Sequence, residues 1–155
     1  MAGNLRINRN EILTLVSTFW TERAAGIIGV PAVAKLVIAD VDSDNNPGDE
    51  VNPAAGGNTK PFARVRIQHT QSQGKAISGR RNRNYGALTA NLFVPRTKSN
   101  AWTKSGDLAE ELVLALRRHR GNVYFTGVTP RERPINNGFN QVDVASDFFW
   151  DQFGA

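Results

Sequence analysis

The residues best suited to binding chemistry are four cations in a polar stretch, 71–84, and one aromatic side chain directly after it. They are Lys75, Arg80, Arg81, Arg83 and Tyr85. Cations bind phosphates and aromatic rings stack on bases, so this stretch suits an anionic partner. Three interpretations stay open: a loop that only aids solubility, a loop that docks on another protein, and a loop that binds nucleic acid.

The charge of the whole chain supports an anionic partner. The 155 residues carry a net charge of +5, but residues 51–106 contain ten Lys and Arg and no Asp or Glu. Residues 1–50 carry four basic against seven acidic side chains, and residues 107–155 carry five against seven. A block of one sign attracts an opposite surface, which is either nucleic acid or an acidic face of another protein.

An acidic segment lies between residues 40 and 59. Its carboxylates are Asp40, Asp42, Asp44, Asp49 and Glu50. The spacing of the first three matches the start of a calcium loop, but the sixth position is Asn45 instead of Gly and the twelfth is Val51 instead of Glu. We therefore expect a solvated acidic loop of about 20 residues, a length that usually indicates function or disorder.

Residues for catalysis are scarce. The chain has no cysteine and two histidines, His69 and His119. Hydrolytic zinc sites usually take three protein ligands, and the motifs of serine hydrolases, zinc proteases and phosphate loops are missing. The sequence therefore predicts a protein that is not an enzyme and uses no metal or cofactor.

Tryptophan is most often a core residue, and this chain has three. Trp20 and Trp150 stand in apolar patterns, whereas Trp102 stands in a polar run. Because tryptophan is enriched at binding hot spots, Trp102 is the best candidate of the three for an interface.

Two helices and several strands must position these residues. Apolar spacing after Asn8 and Glu11, which resemble a capping box, predicts a helix over 9–25 behind a flexible arm, 1–8. A second helix is expected between Ser99 and Arg120, with acidic residues early, basic residues late and Gly121 as a left-handed stop.

Alternating and β-branched segments predict strands over 34–39, 62–69, 85–94, 123–128 and 139–150. The second and third form an antiparallel pair joined by the basic loop, 71–84. The order of elements indicates one α+β domain over 1–155, a twisted and mostly antiparallel or mixed sheet with two main helices on one face and long polar loops. No apolar run has the length of a membrane-spanning helix.

Three segments in this order resemble one known family. They are Phe62-Ala-Arg-Val-Arg-Ile-Gln-His69, then Arg83-Asn-Tyr-Gly-Ala-Leu-Thr-Ala-Asn-Leu-Phe-Val-Pro95, then Phe139-Asn-Gln-Val-Asp-Val-Ala-Ser-Asp-Phe-Phe-Trp150. With the basic hairpin and the helix around Leu108, they resemble the tail terminator proteins of long-tailed bacteriophages, the lambda type included. The acidic loop is longer than the connection expected in that family.

The resemblance implies a structural virion protein, typically a hexameric ring. Such a ring caps the tail tube, ends its polymerisation and joins it to the head connector, in the virion and during assembly in the host cytoplasm. Its partners would be further copies of itself, the major tail-tube protein and the head-tail connector or stopper, with no membrane. DNA would pass through without sequence-specific binding.

On this interpretation the basic loop, together with Tyr85 and Trp102, contacts the tail tube or a neighbouring subunit, and the acidic loop faces the lumen. Arginines that lined the channel would bind phosphates and slow the DNA, so we expect them to face protein. Two alternatives remain: another connector of the head-tail joint, such as a stopper or adaptor, and a small basic nucleic-acid-binding module.

Overall fold

A computed structural model describes residues 5–28, 35–38, 61–74, 81–96, 100–136 and 138–153. The helices are α1 (Leu5–Thr18), a π-helical segment (Phe19–Ala24), α2 (Ala25–Ile28) and α3 (Ala101–Arg118). The strands are β1 (Lys35–Ile38), β2 (Phe62–Gly74), β3 (Arg81–Pro95), β4 (Tyr124–Asn136) and β5 (Phe139–Phe153).

The five strands form one sheet in the order β1-β2-β3-β5-β4. β1 pairs with β2 in parallel, and all other neighbours are antiparallel. The predicted α+β fold is confirmed, with the helices packed on one face of a mostly antiparallel sheet. At one end of this sheet β2 ends, β3 begins, β5 ends and β4 begins.

The core lies between the helices and one face of the sheet. Alternation along each strand selects this face, because successive side chains point to opposite sides. The predicted stripes are buried there: Ala63, Val65 and Ile67 on β2, Leu88 and Leu92 on β3, Val142, Val144, Phe148 and Trp150 on β5. Leu108, Leu112 and Leu116 of α3 and Ile12, Val16 and Phe19 of the first helical region cover them.

The predicted loop 71–84 is wrong at both ends. β2 continues to Gly74 and β3 begins at Arg81, and the two strands pair as far as Gly74 with Asn82. The polar composition of this stretch suggested a loop, but β3 also pairs with β5 up to Arg81 and Phe153. A strand that has partners on both sides gains two ladders of hydrogen bonds, which outweighs a weak local β-propensity.

β4 is also longer than the predicted strand, 123–128, since it continues to Asn136. Pro130 lies inside the strand and pairs in register with Val144 of β5. Proline is tolerated because β4 is the edge strand of the described sheet, where one side of the backbone needs no ladder partner. The register shifts between Thr126 and Thr129, where Gly127 has a φ of +62°.

The second helix lies within its predicted bounds, but neither of the two expected capping signals is used as predicted. α1 begins at Leu5, inside the expected flexible arm, and Asn8 is buried within the helix instead of capping it. α3 ends at Arg118, and the cap residue His119 has an extended backbone. Gly121 is not in the left-handed region. A side chain at position 121 would instead collide with the Glu11 carboxylate and the His119 ring.

Candidate interaction surfaces

The β2–β3 hairpin carries the predicted basic site. Arg81 and Arg83 lie in β3, so they belong to a strand and not to a loop. Lys75 and Arg80 fall outside the described residues, as do Asp40, Asp42, Asp44, Asp49 and Glu50 of the acidic loop. The described strands nevertheless bring both flanks of the basic segment, Gly74 and Arg81, to one end of the sheet.

Arg83 is held by contacts within the chain. Its Nε donates to Oδ1 of Asp151 at 2.8 Å and its Nη2 donates to Oδ2 at 3.0 Å, a two-pronged pair across β3 and β5. The hydrogen bond with Asp151 raises the pKa of Arg83 above its usual value. The guanidinium carbon also lies 4.3 Å from the centre of the Phe149 ring. Arg83 therefore fixes the start of β3 to the end of β5.

An aromatic row crosses three strands beside this pair. Tyr124 of β4 stacks on Phe149 of β5, with ring centres 5.1 Å apart and planes 16° apart. Tyr85 of β3 lies on the other side of Phe149, with ring centres 6.3 Å apart. Tyr85 is partly buried, whereas Tyr124 is 53% exposed. The row lies on the sheet face opposite the core helices.

The same face contains a buried carboxylate, Asp143 of β5, which is 6% exposed. It accepts hydrogen bonds from Asn91 Nδ2 at 2.7 Å, from Gln141 Nε2 at 2.8 Å and from Arg133 Nε. Burial alone would raise the pKa of Asp143, but these three donors outweigh it and lower the pKa below its ordinary value. Asp143 therefore joins β3, β5 and β4 as an anion.

Trp102 is an exposed aromatic side chain at the start of α3. It lies in the first turn of α3 and is 64% exposed.

A groove of about 380 Å³ lies between α3 and the strands β4 and β5, and it begins one turn after Trp102 on the same side of the helix. Its lining residues are Gly106, Ala109, Glu110, Val113, Arg117, Pro130, Glu132 and Val142. The groove between α3 and β4 could not be located from the sequence, because its two walls are distant in the chain.

The outer surface of α3 beside this groove is acidic. Asp107 and Glu110 are exposed and Glu111 is partly exposed, and all three border a smaller hollow with Ile27 and Leu114. Glu132 of β4 adds an exposed carboxylate on the opposite wall of the groove. The protein thus has two charged regions, although the chain as a whole is basic. The basic hairpin end is the segment 75–81 between β2 and β3, and the acidic surface of α3 consists of Asp107, Glu110 and Glu111.

The two histidines have structural contacts. The ring of His69 packs on Trp150, with centres 5.6 Å apart. The Nε2 of His119 lies 2.9 Å from Oε2 of Glu11, whose carboxylate also accepts from the backbone N–H groups of Val123 (2.8 Å) and Asn122 (3.1 Å). Burial would raise the pKa of Glu11, but these donors lower it. Glu11 thus links α1 to the turn between α3 and β4.

The described residues contain neither a cluster of metal-ligating side chains nor a membrane-spanning helix. Within ranges 5–28, 35–38, 61–74, 81–96, 100–136 and 138–153, no three His, Asp or Glu side chains are grouped so that they could hold a metal ion. None of the helices in those ranges is long and apolar enough to cross a membrane.

Comparison with known proteins adds information about the fold. No family model and no curated protein matches the chain. A solved structure without a descriptive name is similar to it, with a TM-score of 0.54, 14% sequence identity, and coverage of 95% of this chain and 97% of the other. At this identity the likeness concerns the fold alone, so the chain shares its α+β architecture over nearly its whole length with a protein of known structure.

Proposed function

We propose that this protein is a structural component of a phage tail, a ring of identical subunits that caps the tail tube, ends its polymerisation and joins it to the head connector. The observation that carries this proposal is the β2–β3 hairpin with its basic end, in which β3 is paired with β2 on one side and with β5 on the other. The resemblance of the sequence to tail terminator proteins supports the same proposal.

The hairpin suits a protein contact because its base is rigid. Arg83 is held by Asp151 and by the Phe149 ring, so β3 and β5 stay together up to the last pair, Arg81 with Phe153. A prepositioned strand end loses little conformational entropy on binding, which favours affinity. Lys75, Arg80 and Arg81 then provide charge for an acidic partner, and Arg83 positions them.

A ring of identical subunits needs two different surfaces on each copy. Head-to-tail contacts are heterologous: one patch of a subunit meets another patch of the next. The basic hairpin end and the acidic surface of α3 are such a pair, since opposite charges steer and align the contact. The acidic loop, 40–59, would line the lumen, where carboxylates repel DNA and let it slide.

The proposal is tested with the purified protein and the major tail-tube protein of the same phage. We expect negative-stain images to show rings, and tubes that carry one ring at an end and stop elongating when the protein is added. Bovine serum albumin at equal concentration is the control for crowding. Tubes that elongate to the same length with and without the protein, and bear no ring, would contradict the proposal.

A second candidate function, a nucleic-acid-binding module, is favoured by the aromatic row on the open sheet face. Tyr124 is more than half exposed, and exposed arginines, Arg66 and Arg131, lie on the same face. Such a surface can stack bases and hold phosphates.

The second candidate predicts that a fluorescent single-stranded oligonucleotide binds with an affinity that falls steeply between 50 and 200 mM salt. It also predicts that Tyr124→Ala weakens binding about tenfold or more, as stacking is worth about 1–3 kcal/mol per base. Anisotropy that stays flat at 50 mM salt would exclude this function.

A further inference from the structure

The groove of about 380 Å³ between α3 and β4 is an unfilled surface with a distinct lining. Its floor is apolar, with Ala109, Val113 and Val142. Gly106 forms part of the wall, and a side chain added there would meet no atom within 4 Å. Trp102, one turn away on the same side of α3, extends this apolar surface towards solvent. The groove therefore has room for side chains from outside.

The charges around the groove select a cationic occupant. Glu110 on α3 and Glu132 on β4 are exposed carboxylates on opposite walls, and Asp107 and Glu111 lie next to them on the helix. Arg117 is the cation among the lining residues, and its Nη2 donates to the carbonyl oxygen of Val128 at 3.2 Å. The groove rim thus repels phosphates, which speaks against nucleic acid as occupant.

The same chain contains a segment of complementary chemistry. Residues 75–81, Lys-Ala-Ile-Ser-Gly-Arg-Arg, combine three cations with one large apolar side chain, Ile77, and have no acidic residue. This segment connects β2 with β3 at the hairpin end. Its charge fits the carboxylates on the groove walls, and Ile77 fits the apolar floor.

The hairpin end of a subunit cannot reach its own groove. Pro130 of β4 lines the groove and pairs in register with Val144 of β5. Val144 in turn pairs in register with Ala90 of β3, so the groove lies level with Ala90. Ala90 is nine residues from Arg81 along an extended strand, a distance of about 30 Å. The segment 75–81 joins the ends of β2 and β3, and a stretch of seven residues that must start and finish there cannot span that distance, because a chain extends at most about 3.3–3.6 Å per residue. The groove of a different copy must therefore receive it.

We propose that the basic hairpin end of one subunit docks in the α3–β4 groove of the next subunit. This inference rests on the proposed ring, and it assigns the hairpin to the neighbouring copy instead of the tube end. Arg80 and Arg81 of the donating subunit pair with Glu110 and Glu132 of the receiving subunit. Ile77 of the donating subunit packs against Trp102 of the receiving subunit, and this apolar contact excludes water. Because the two surfaces lie far apart on one subunit, each copy receives one hairpin and donates one, as a closed ring requires.

Cysteine crosslinking tests this contact directly, because the natural chain has no cysteine. One variant carries Ser78→Cys in the hairpin end and another carries Gly106→Cys in the groove wall. The matched control carries Ala145→Cys, an exposed position on the opposite face of the sheet. Each pair of variants is mixed at about 100 μM under mild oxidation and analysed on a non-reducing gel.

We expect the 78 and 106 variants to form a mixed disulfide dimer at least tenfold more than the 78 and 145 variants. Equal yields in the two mixtures would overturn the proposed contact. The high protein concentration captures the contact even if rings close only on a tube, so a weak interaction is still detected.

A charge exchange gives an independent test. Arg80→Glu with Arg81→Glu should lower crosslinking between positions 78 and 106 at least fivefold, and so should Glu110→Arg with Glu132→Arg. Combining a reversed hairpin with a reversed groove should restore it. Loss without restoration would overturn the ion pairing. Circular dichroism shows whether each variant is folded. The control for net charge is Arg66→Glu with Arg131→Glu, two exposed positions on the opposite face of the sheet, which lowers the net charge by the same amount as the reversed hairpin.

The tube assay separates this inference from the proposed function. Tubes that are capped by a protein giving no 78–106 crosslink would refute the groove contact and leave the capping function intact. A crosslink formed by a protein that leaves tubes uncapped would refute the capping function and support self-association through the groove.

Discussion

The Glu11 carboxylate should contribute measurably to stability through the contacts that join α1 to the turn after α3. In Glu11→Ala the backbone N–H of Val123, which is 1% exposed, loses its acceptor at 2.8 Å. A buried donor without a partner costs about 1–3 kcal/mol, and hydrogen bonds to a charged group are at the upper end. We therefore expect the free energy of unfolding at pH 7 to fall by about 2 kcal/mol.

The measurement is urea unfolding followed by circular dichroism, with Glu22→Ala, an exposed carboxylate in the π-helical segment, as the matched control. In a domain of this size a loss of 2 kcal/mol corresponds to a fall in Tm of about 4–8 °C. If Glu11→Ala and Glu22→Ala differ by less than 0.5 kcal/mol (about the range expected for surface substitutions), the Glu11 contacts are not energetically significant.

The pH dependence of this effect has a defined sign. The pKa of Glu11 is lowered in the folded protein from an ordinary value of 4.5, so the folded state favours the ionised carboxylate. Its contribution is fully present above the unfolded pKa and is lost as the pH falls through the folded pKa. The difference between wild type and Glu11→Ala should therefore shrink as the pH falls below about 4.5. A difference that grows on acidification would refute the assignment.

Three further substitutions test the sheet and α3. Gly86→Ala should lower the free energy of unfolding by about 1–3 kcal/mol in a chemical melt, because the added methyl group would collide with the Phe148 ring and with the backbone carbonyl oxygen of Gln68. Wild-type stability would show that both groups move away without cost. Gly106→Ala changes an exposed helical position with open space around it, and it should raise the free energy of unfolding by about 0.5–1 kcal/mol. A decrease would mean that the position is not a regular helix interior. Asp151→Asn weakens a partly exposed ion pair with Arg83 and should lower the free energy of unfolding by about 1 kcal/mol or less. Amide hydrogen exchange at the start of β3 should become faster, and unchanged exchange there would contradict the role of Arg83 in holding β3 to β5.

The aromatic and charged residues acquire their environment from partners far away in the chain. Arg83 and Asp151 are 68 residues apart, and Glu11 and Val123 are 112 apart. Local composition cannot predict such contacts, because it carries no information on which strand pairs with which. For the same reason the sequence marked Arg83 as a candidate contact residue but could not predict that its side chain pairs with Asp151 of β5.

Much of the fold was predictable from periodicity alone. The alternation of Ala63, Val65 and Ile67 predicted the buried face of β2, and Leu108, Leu112 and Leu116 predicted the buried face of α3; all six are buried. Burial of one face fixes these patterns, since a shift of one residue would expose the apolar side chains. The exposure of Trp102 also agrees with the polar run around it.

What the sequence by itself determined is therefore the class of the fold, the inward-facing residues and the separation of basic from acidic segments. Tertiary structure decided how far the strands run, because pairing with β5 extends β3 to Arg81 and β4 through Pro130. It also decided that Glu110 and Glu132, on elements distant in sequence, face one groove. Hydrogen-bond ladders and packing between distant segments supply free energy that local propensity lacks, so strand ends and shared surfaces follow from the assembled sheet.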